Sequence, residues 1–444
     1  MNTPIYDFIQ TYITSTPHRL HMPGHKGTPF LGCEPYDLTE IDGADNLYDP
    51  RGIIMESEQN ATKLFGSGAT LYSTGGSSQS VRAMVHLAAL SKPGPLKLIA
   101  GRNAHKSFLT AAALLDADIR WLYPEGPGYS LCRCDISPDG LKRALTDCPE
   151  AAAVYITSPD YLGNTLDVAA LAAVAHSHGV PLLADNAHGA YLRFLPEPCH
   201  PMDLGADLCC DSAHKTLPVL TGGGYLHVSK GAPALFRERA REAMALFGST
   251  SPSYLILQSL DLCNQYLASS YPENLDYTVG FLSELRGFLA GEGWRFIGDE
   301  PLKLTLDSRP MGFTGQEISR HLVSHGIHPE YADPDYLVLM PAPETPPESL
   351  ELLLSALSAL APRPPLAGPD LELSPPPRAM TLRQALFSPT EVLPLEAATG
   401  RVLAGLSASC PPAVAPAVPG EVLTGNVMDI YRYYGIESVS VVKE

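Results

Sequence analysis

The stretch "DSAHKTLPVLTGGGYLHV" (211–228) sets His214 and Lys215 between an apolar run, "ADLCC", and a glycine cluster that opens another. A lysine is costly to bury unless it is paired or chemically used. Desolvated in a pocket, its amine becomes a nucleophile able to form a Schiff base with a carbonyl. Three other stretches carry groups that would serve such an amine. "STGGSSQSVRAM" (73–84) is a small-residue turn running into a helix, where backbone N–H groups with the hydroxyls of Ser77 and Ser78 make an anion cradle. No "GK[ST]" follows, so it is not a P-loop, and taken alone it reads more readily as an N-cap and glycine turn. "GRNAHKS" (101–107) places His105 just past a strand, where ligands of α/β folds bind, although a half-exposed loop histidine fits the same pattern. "PLLADNAHGAY" (181–191) ends an apolar strand in Asp185, with His188 three residues on. A buried carboxylate there needs a cationic or hydrogen-bonding partner, either a protonated heterocycle or the start of the next element.

In chain order, the cradle, Asp185 and Lys215 suit pyridoxal phosphate. That cofactor takes a lysine Schiff base, an acidic partner for its pyridine nitrogen and an anchor for its phosphate. The elements that must position these groups follow a regular pattern. Between 49 and 230, strand-like runs ("KLIAG" 97–101, "AAVYIT" 152–157, "PLLAD" 181–185, "ADLCCDS" 206–212, "GGYLHV" 223–228) alternate with helical stretches at 77–91 and 167–179. Such alternation predicts an α/β fold with a mostly parallel sheet covered on both faces. A long amphipathic helix is expected over 252–270, and 295–340 mixes "PLKLTLD" and "YLVLM" with the helical "TGQEISRHLVSHG", as a smaller α+β domain does. The eleven prolines of 341–377 surround a helical "SLELLLSALSAL", and 362–378 reads as a stiff linker. The expected division is an N-terminal arm (1–48), a large cofactor-binding domain (49–255), a small α+β domain (256–361), the linker and a C-terminal tail domain (379–444).

Composition narrows the function classes. Asp plus Glu number 48 against 30 Lys plus Arg, a formal charge of −18, which argues against nucleic-acid and anionic-membrane partners. Nine cysteines with no CxxC pair and no zinc-like spacing suggest reduced thiols and no metal site. The N-terminal "MNTPIYDFIQTYITS" has no basic segment followed by an apolar core, so no secretory signal is expected. No apolar run reaches the ~18 residues that span a bilayer. A cytoplasmic location is the expectation.

With these residues in view, the chain resembles the ornithine/lysine/arginine decarboxylase family of pyridoxal-phosphate enzymes, which have the aspartate-aminotransferase (fold type I) architecture. Its shorter bacterial members, biosynthetic arginine decarboxylases among them, are the most alike. The resemblance rests on "HMPGHKG" (21–27), "DLTEIDGADNLYDPRGII" (37–54), "NAHKS" (103–107), "DNAHG" (185–189), "SAHKTLP" (212–218), "STSPSYLILQSLD" (249–261) and "VPGE" (418–421), nearly end to end. It implies that Lys215 holds the cofactor as a Schiff base and that Asp185 keeps the pyridine nitrogen protonated. His105 would stack on the ring, while Gly76, Ser77, Ser78 and Ser212 would hold the phosphate. His214 would contact phosphate or substrate carboxylate, His188 would lie in the cofactor site, and Thr250 would reach a phosphate across a dimer interface. Glu421 would lie near the substrate's distal cation. The activity implied is decarboxylation of arginine, lysine or ornithine in polyamine metabolism by a homodimer with shared sites or a higher oligomer. An aminotransferase, another lyase of the same fold or a non-catalytic descendant are the other readings. Two departures stand out: Asn186 where the family usually has Glu, and "GGSSQS" where relatives commonly show a "GTS" core.

Overall fold

Seven short runs form one sheet: β1 (Ala69–Ser73), β2 (Lys97–Gly101), β3 (Asp118–Leu122), β4 (Ala153–Thr157), β5 (Leu182–Asp185), β6 (Leu208–Asp211) and β7 (Gly224–Val228). In the computed structural model, which describes residues 1–126, 129–368, 370–406 and 414–444, their order is β1-β7-β6-β5-β4-β2-β3. β4, β5 and β6 run parallel, with Thr157 opposite Asp185 and Asp185 opposite Cys210. β7 is reversed, pairing Tyr225 with Asp211, and β1 is antiparallel to β7, pairing Ser73 with Gly224. The sheet is therefore mostly parallel, as the alternating pattern implies. Every residue of β4 to β7 is buried, which is why these strands read as continuous apolar runs rather than alternating ones.

The expected strands and helices are present, with ends moved by up to three residues. The helix Val168–Ser177 shows why: the Asp167 side chain accepts from Ala170 N–H at its start, and Val168, Leu171, Ala172 and Ala175 bury one stripe. Gly179, at φ +68°, turns the chain out of it. β1 and β3 were not among the expected strands. β3 ends the strand order and exposes Asp118 and Arg120, the charge pattern of an edge strand. β1, "ATLYS", is short and small, so neither length nor alternation sets it apart from a loop.

Contacts group the chain into two compact units, 1–99 with 141–158 and 167–273, and 100–140 with 159–166 and 274–444. Residues 1–48 thus lie with the first unit, and 100–140 with the second. The second unit holds β8 (Arg295–Ile297), β9 (Leu304–Asp307), β10 (Tyr331–Ala332) and β11 (Tyr336–Leu339) as an antiparallel sheet of order β10-β11-β9-β8. Its helix Gly315–Ser324 opens on a capping box between Thr314 and Glu317. The described residues of 362–377 form no helix or strand. Beyond them, β12 (Thr390–Pro394) pairs β13 (Ser438–Val442) around a core of Leu395, Leu403, Leu423, Val427, Met428 and Val441. Among the described residues no helix is long and apolar enough to cross a membrane.

In the first unit a buried carboxylate ties the N-terminal helix Pro4–Thr14 down. Thr3 makes no side-chain cap, and Asp261 takes its place, accepting from Ile5 N–H at 2.9 Å and Tyr6 N–H at 3.0 Å while Ser57 Oγ donates to its other oxygen. Burial pushes the Asp261 carboxyl up to about 6. The folded state therefore keeps this proton to a higher pH than the unfolded chain does. The contribution to stability is complete below about pH 4 and is lost as pH rises through about 6. Asp261→Asn cannot titrate, so between about pH 4 and 6 the wild type should lose up to about 3 kcal/mol relative to it in denaturant melts. A constant difference across that window would show that Asp261 titrates normally.

Candidate active site

Reversal of β7 brings its N-terminal end, and the β1 end beside it, to the carboxyl ends of β5 and β6. At that edge of the first unit the chain leaves β1 through Thr74 and Gly75 into the helix Gly76–Ser91. The first-turn N–H groups of a helix have no partner within it, and Gly75 brings no side-chain cap. Gly76 adopts φ +65° and its N–H donates to Gly222 O at 2.7 Å, fixing the turn against the segment before β7. A Cβ at Gly224 would lie 2.7 Å from Asp211 O, 3.0 Å from Gly76 C and 3.2 Å from Ser77 N, so only glycine lets these backbones meet. Ser212 Oγ donates to Ser77 Oγ at 2.7 Å, joining the cradle to the lysine segment, and Ser78 is half-buried on the same first turn.

β6 stops at Asp211, and Lys215 sits one short helical turn beyond it, in Ala213–Thr216. Lys215 Nζ is 3.0 Å from His188 Nε2. Asp185 closes β5, is 3% exposed, and accepts from Tyr155 OH at 2.7 Å, Ala187 N–H at 3.2 Å and Cys210 Sγ–H at 3.5 Å. Three donors satisfy a carboxylate that water cannot reach. His214 Nδ1 is 2.8 Å from Gly223 O; a carbonyl only accepts, so Nδ1 carries the hydrogen and Nε2 is the acceptor of the neutral ring. Burial, aided by the charge of Lys215, holds His214 below its ordinary value and keeps it neutral. Residues from four separate stretches (Gly76, Ser77 and Ser78; Asp185 and His188; Ser212, His214 and Lys215; Gly224) thus meet in one compact unit. They offer anion donors, a carboxylate and an amine, the set that pyridoxal phosphate requires.

Three further expected site residues are not among those that meet in this unit's cluster. His105 belongs to the second unit, where it caps the helix Lys106–Leu114 by accepting from Ser107 N–H at 3.2 Å. Thr250 is exposed, in the loop before the helix Tyr254–Leu267. Glu421 meets a cation of this same chain. Arg102 grips it with two N–H groups, at 2.9 Å and 2.5 Å, Val418 N–H adds a third donor at 2.8 Å, and both side chains are buried. Burial alone would disfavour the guanidinium charge, but Glu421 outweighs it and holds Arg102 protonated. The rings of Trp121 and Tyr123 cover Arg102, each centroid 5.1 Å away.

Sequence reasoning did not single out Tyr155, Cys210, Asp211, Arg102 or Gly224. Tyr155 is the one aromatic hydroxyl in the central strand "AVYIT", and Asp211 ends an apolar run as Asp185 does; those were the available signals.

Residues 3–286 match the family model described as Orn/Lys/Arg decarboxylase, major domain. Arginine decarboxylase of Bacillus subtilis is 31% identical, over 97% of this chain and 93% of its own length. Among solved structures, the constitutive lysine decarboxylase of Escherichia coli superposes with a TM-score of 0.78 at 19% identity, covering 100% of this chain and 82% of that one. A structure of SPT with PLP shares the fold at a TM-score of 0.53 and 17% identity, over 69% of this chain and 75% of that one. Fold and site chemistry agree with these likenesses: the chain belongs to the Orn/Lys/Arg decarboxylase family.

Proposed function

We propose that the protein is a pyridoxal-phosphate-dependent decarboxylase of a basic amino acid, arginine by the name of its Bacillus subtilis relative, releasing CO2 and an amine that feeds polyamine formation. The observation that carries this reading is the meeting of the Ser77–Ser212 cradle, Asp185 and Lys215 in one compact unit. When bound, the cofactor supplies the electron sink for the bond that loses CO2. The chain's own groups do the rest. Ser77, Ser78, Ser212 and the first-turn N–H groups bind the phosphate, with the positive helix end facing it. Asp185, fixed by Tyr155 and Ala187, offers a carboxylate oxygen to a protonated ring nitrogen. Lys215 Nζ is the amine for the carbonyl, and His188 Nε2, 3.0 Å away, accepts a proton from it. His214 Nε2 is a neutral acceptor beside the lysine, and His105 is the ring-stacking residue. Glu421, neutralised by Arg102, acts indirectly by fixing the segment around Val418.

The active unit is a homodimer. The support is a set of exposed apolar side chains in the N-terminal arm (Leu20 96%, Met22 68%, Phe30 79%, Leu31 89%), more than a monomer usually leaves in water, together with the exposed Thr250 loop.

Lys215→Ala should bind no cofactor covalently, lose the visible absorbance of the lysine-bound form and form no amine from arginine, lysine or ornithine, with its melting curve nearly unchanged. Release of keto acid rather than CO2 by the wild type would favour an aminotransferase instead. Mixing Lys215→Ala chains with chains carrying Thr250→Glu, inactive alone, should restore activity, because one hybrid site is intact. If verified subunit exchange restores none, each chain holds a complete site.

A further inference from the structure

Asp211 closes β6 four residues before Lys215, and its carboxylate is wholly buried. One oxygen receives Nε2–H of His200 at 3.0 Å and of His227 at 2.9 Å; the other receives Nδ2–H of Asn186 at 2.7 Å. Both rings are oriented from behind. Met202 N–H donates to His200 Nδ1 at 3.2 Å, and Thr70 Oγ1 lies 2.8 Å from His227 Nδ1. Each Nε2 faces a carboxylate that can only accept, so each Nε2 carries the hydrogen that Asp211 takes. Burial holds His227 below its ordinary value, in keeping with a neutral ring. Burial works against the charge of Asp211 as well, but the two histidines outweigh it and keep the carboxyl well below the usual carboxylate range.

Asn186 follows Asp185 directly, so its side chain leaves the strand on the opposite face. The same residue opens a turn: its N–H donates to Cys210 O at 3.0 Å, and its carbonyl accepts from Gly189 N–H at 2.8 Å. Inside that turn lie two contacts of the site, Ala187 N–H on Asp185 and His188 Nε2 beside Lys215 Nζ. The turn is closed tightly over Asn186, since a Cβ at Gly189 would fall 2.1 Å from Asn186 Oδ1.

We propose that Asp211 and Asn186 are positioning residues for the decarboxylation, a buried anion and its amide donor that together set the 186–189 turn and so aim Ala187 at Asp185 and His188 at Lys215. The inference rests on the reading that Asp185 and Lys215 hold the cofactor. It also explains the residue type: a carboxylate at 186 would face the Asp211 carboxylate at hydrogen-bond distance, where like charges repel.

The test is an exchange of the two groups. Asn186→Asp alone puts two carboxylates together. Adding Asp211→Asn lets the new amide oxygen at 211 take both histidine N–H groups while its NH2 donates to the new carboxylate at 186, so charge count and hydrogen bonds return. Apo-protein is titrated with pyridoxal phosphate, and the loaded protein is followed across pH by its visible absorbance. Asn186→Asp should weaken cofactor binding about tenfold or more and raise the pH midpoint of the absorbance change. The double variant should return both to within about threefold of wild type and near the wild-type midpoint. A fold-only role would leave the midpoint of folded, loaded protein unmoved. A single variant equal to wild type, or a double variant no better than the single, overturns the proposal. If Asn186→Asp does not fold, Asn186→Leu removes the donor without adding charge, and wild-type affinity in it is equally decisive. Failure of the underlying reading shows separately, as wild type lacking the absorbance or Lys215→Ala retaining it.

Discussion

The register of four strands governs everything at the site. With Asp185 opposite Cys210, Asp211 opposite Tyr225, and Ser73 opposite Gly224, the ends of β5 and β6 and the turn after β1 fall on one edge of the sheet. A slip of one residue between β5 and β6 or between β6 and β7 would turn Asp185 or Asp211 to the other face. The reversed strand is what allows the cradle to lie against the lysine segment, because a parallel strand in its place would send its glycines to the far edge. Gly224 is the tightest point of this arrangement, with three backbone atoms close around the space a side chain would fill.

Much of this was legible in the sequence. Lys215, Asp185 and the "GGSSQS" turn stand out because each sets a polar group or glycine at the end of an apolar run, and the alternation of runs identifies the sheet. What stayed hidden is pairing across distance. Nothing in "AVYIT" says that Tyr155 meets a carboxylate 30 residues later, and nothing in "VPGE" says that Glu421 finds Arg102, 319 residues earlier. Such partners depend on strand order, which hydrophobic spacing does not encode. β1 escaped notice for a related reason: its burial comes from neighbours rather than from its own side chains.

The interior is richer in charge than the composition suggests. Besides Arg102–Glu421, Lys303 pairs with Glu300 at 2.9 Å with both side chains almost wholly enclosed. Burial raises the carboxyls of Asp160 and Asp333 to about 6, as it does that of Asp261. Asp211 goes the other way, since His200 and His227 face it and outweigh its burial. Burial has a different result for the thiols. It pushes Cys132, Cys209 and Cys210 up and so suppresses thiolate, which leaves them poor nucleophiles.

The reversed strand also has a kinetic meaning. The bond from Ser212 to Ser77 closes a loop of 135 residues, and the contact of Thr70 with His227 spans 157. Lys215 and His188 are only 27 apart, so their neighbourhood forms as soon as β5 and β6 pair. Closing the longer loops is the entropically harder part of the search. The Ser212–Ser77 contact is thus completed only after β1 has docked beside β7. A newly made chain would bring Lys215 and His188 together early and join Ser212 to Ser77 late, so the turn after β1 is the last part of this edge to be fixed.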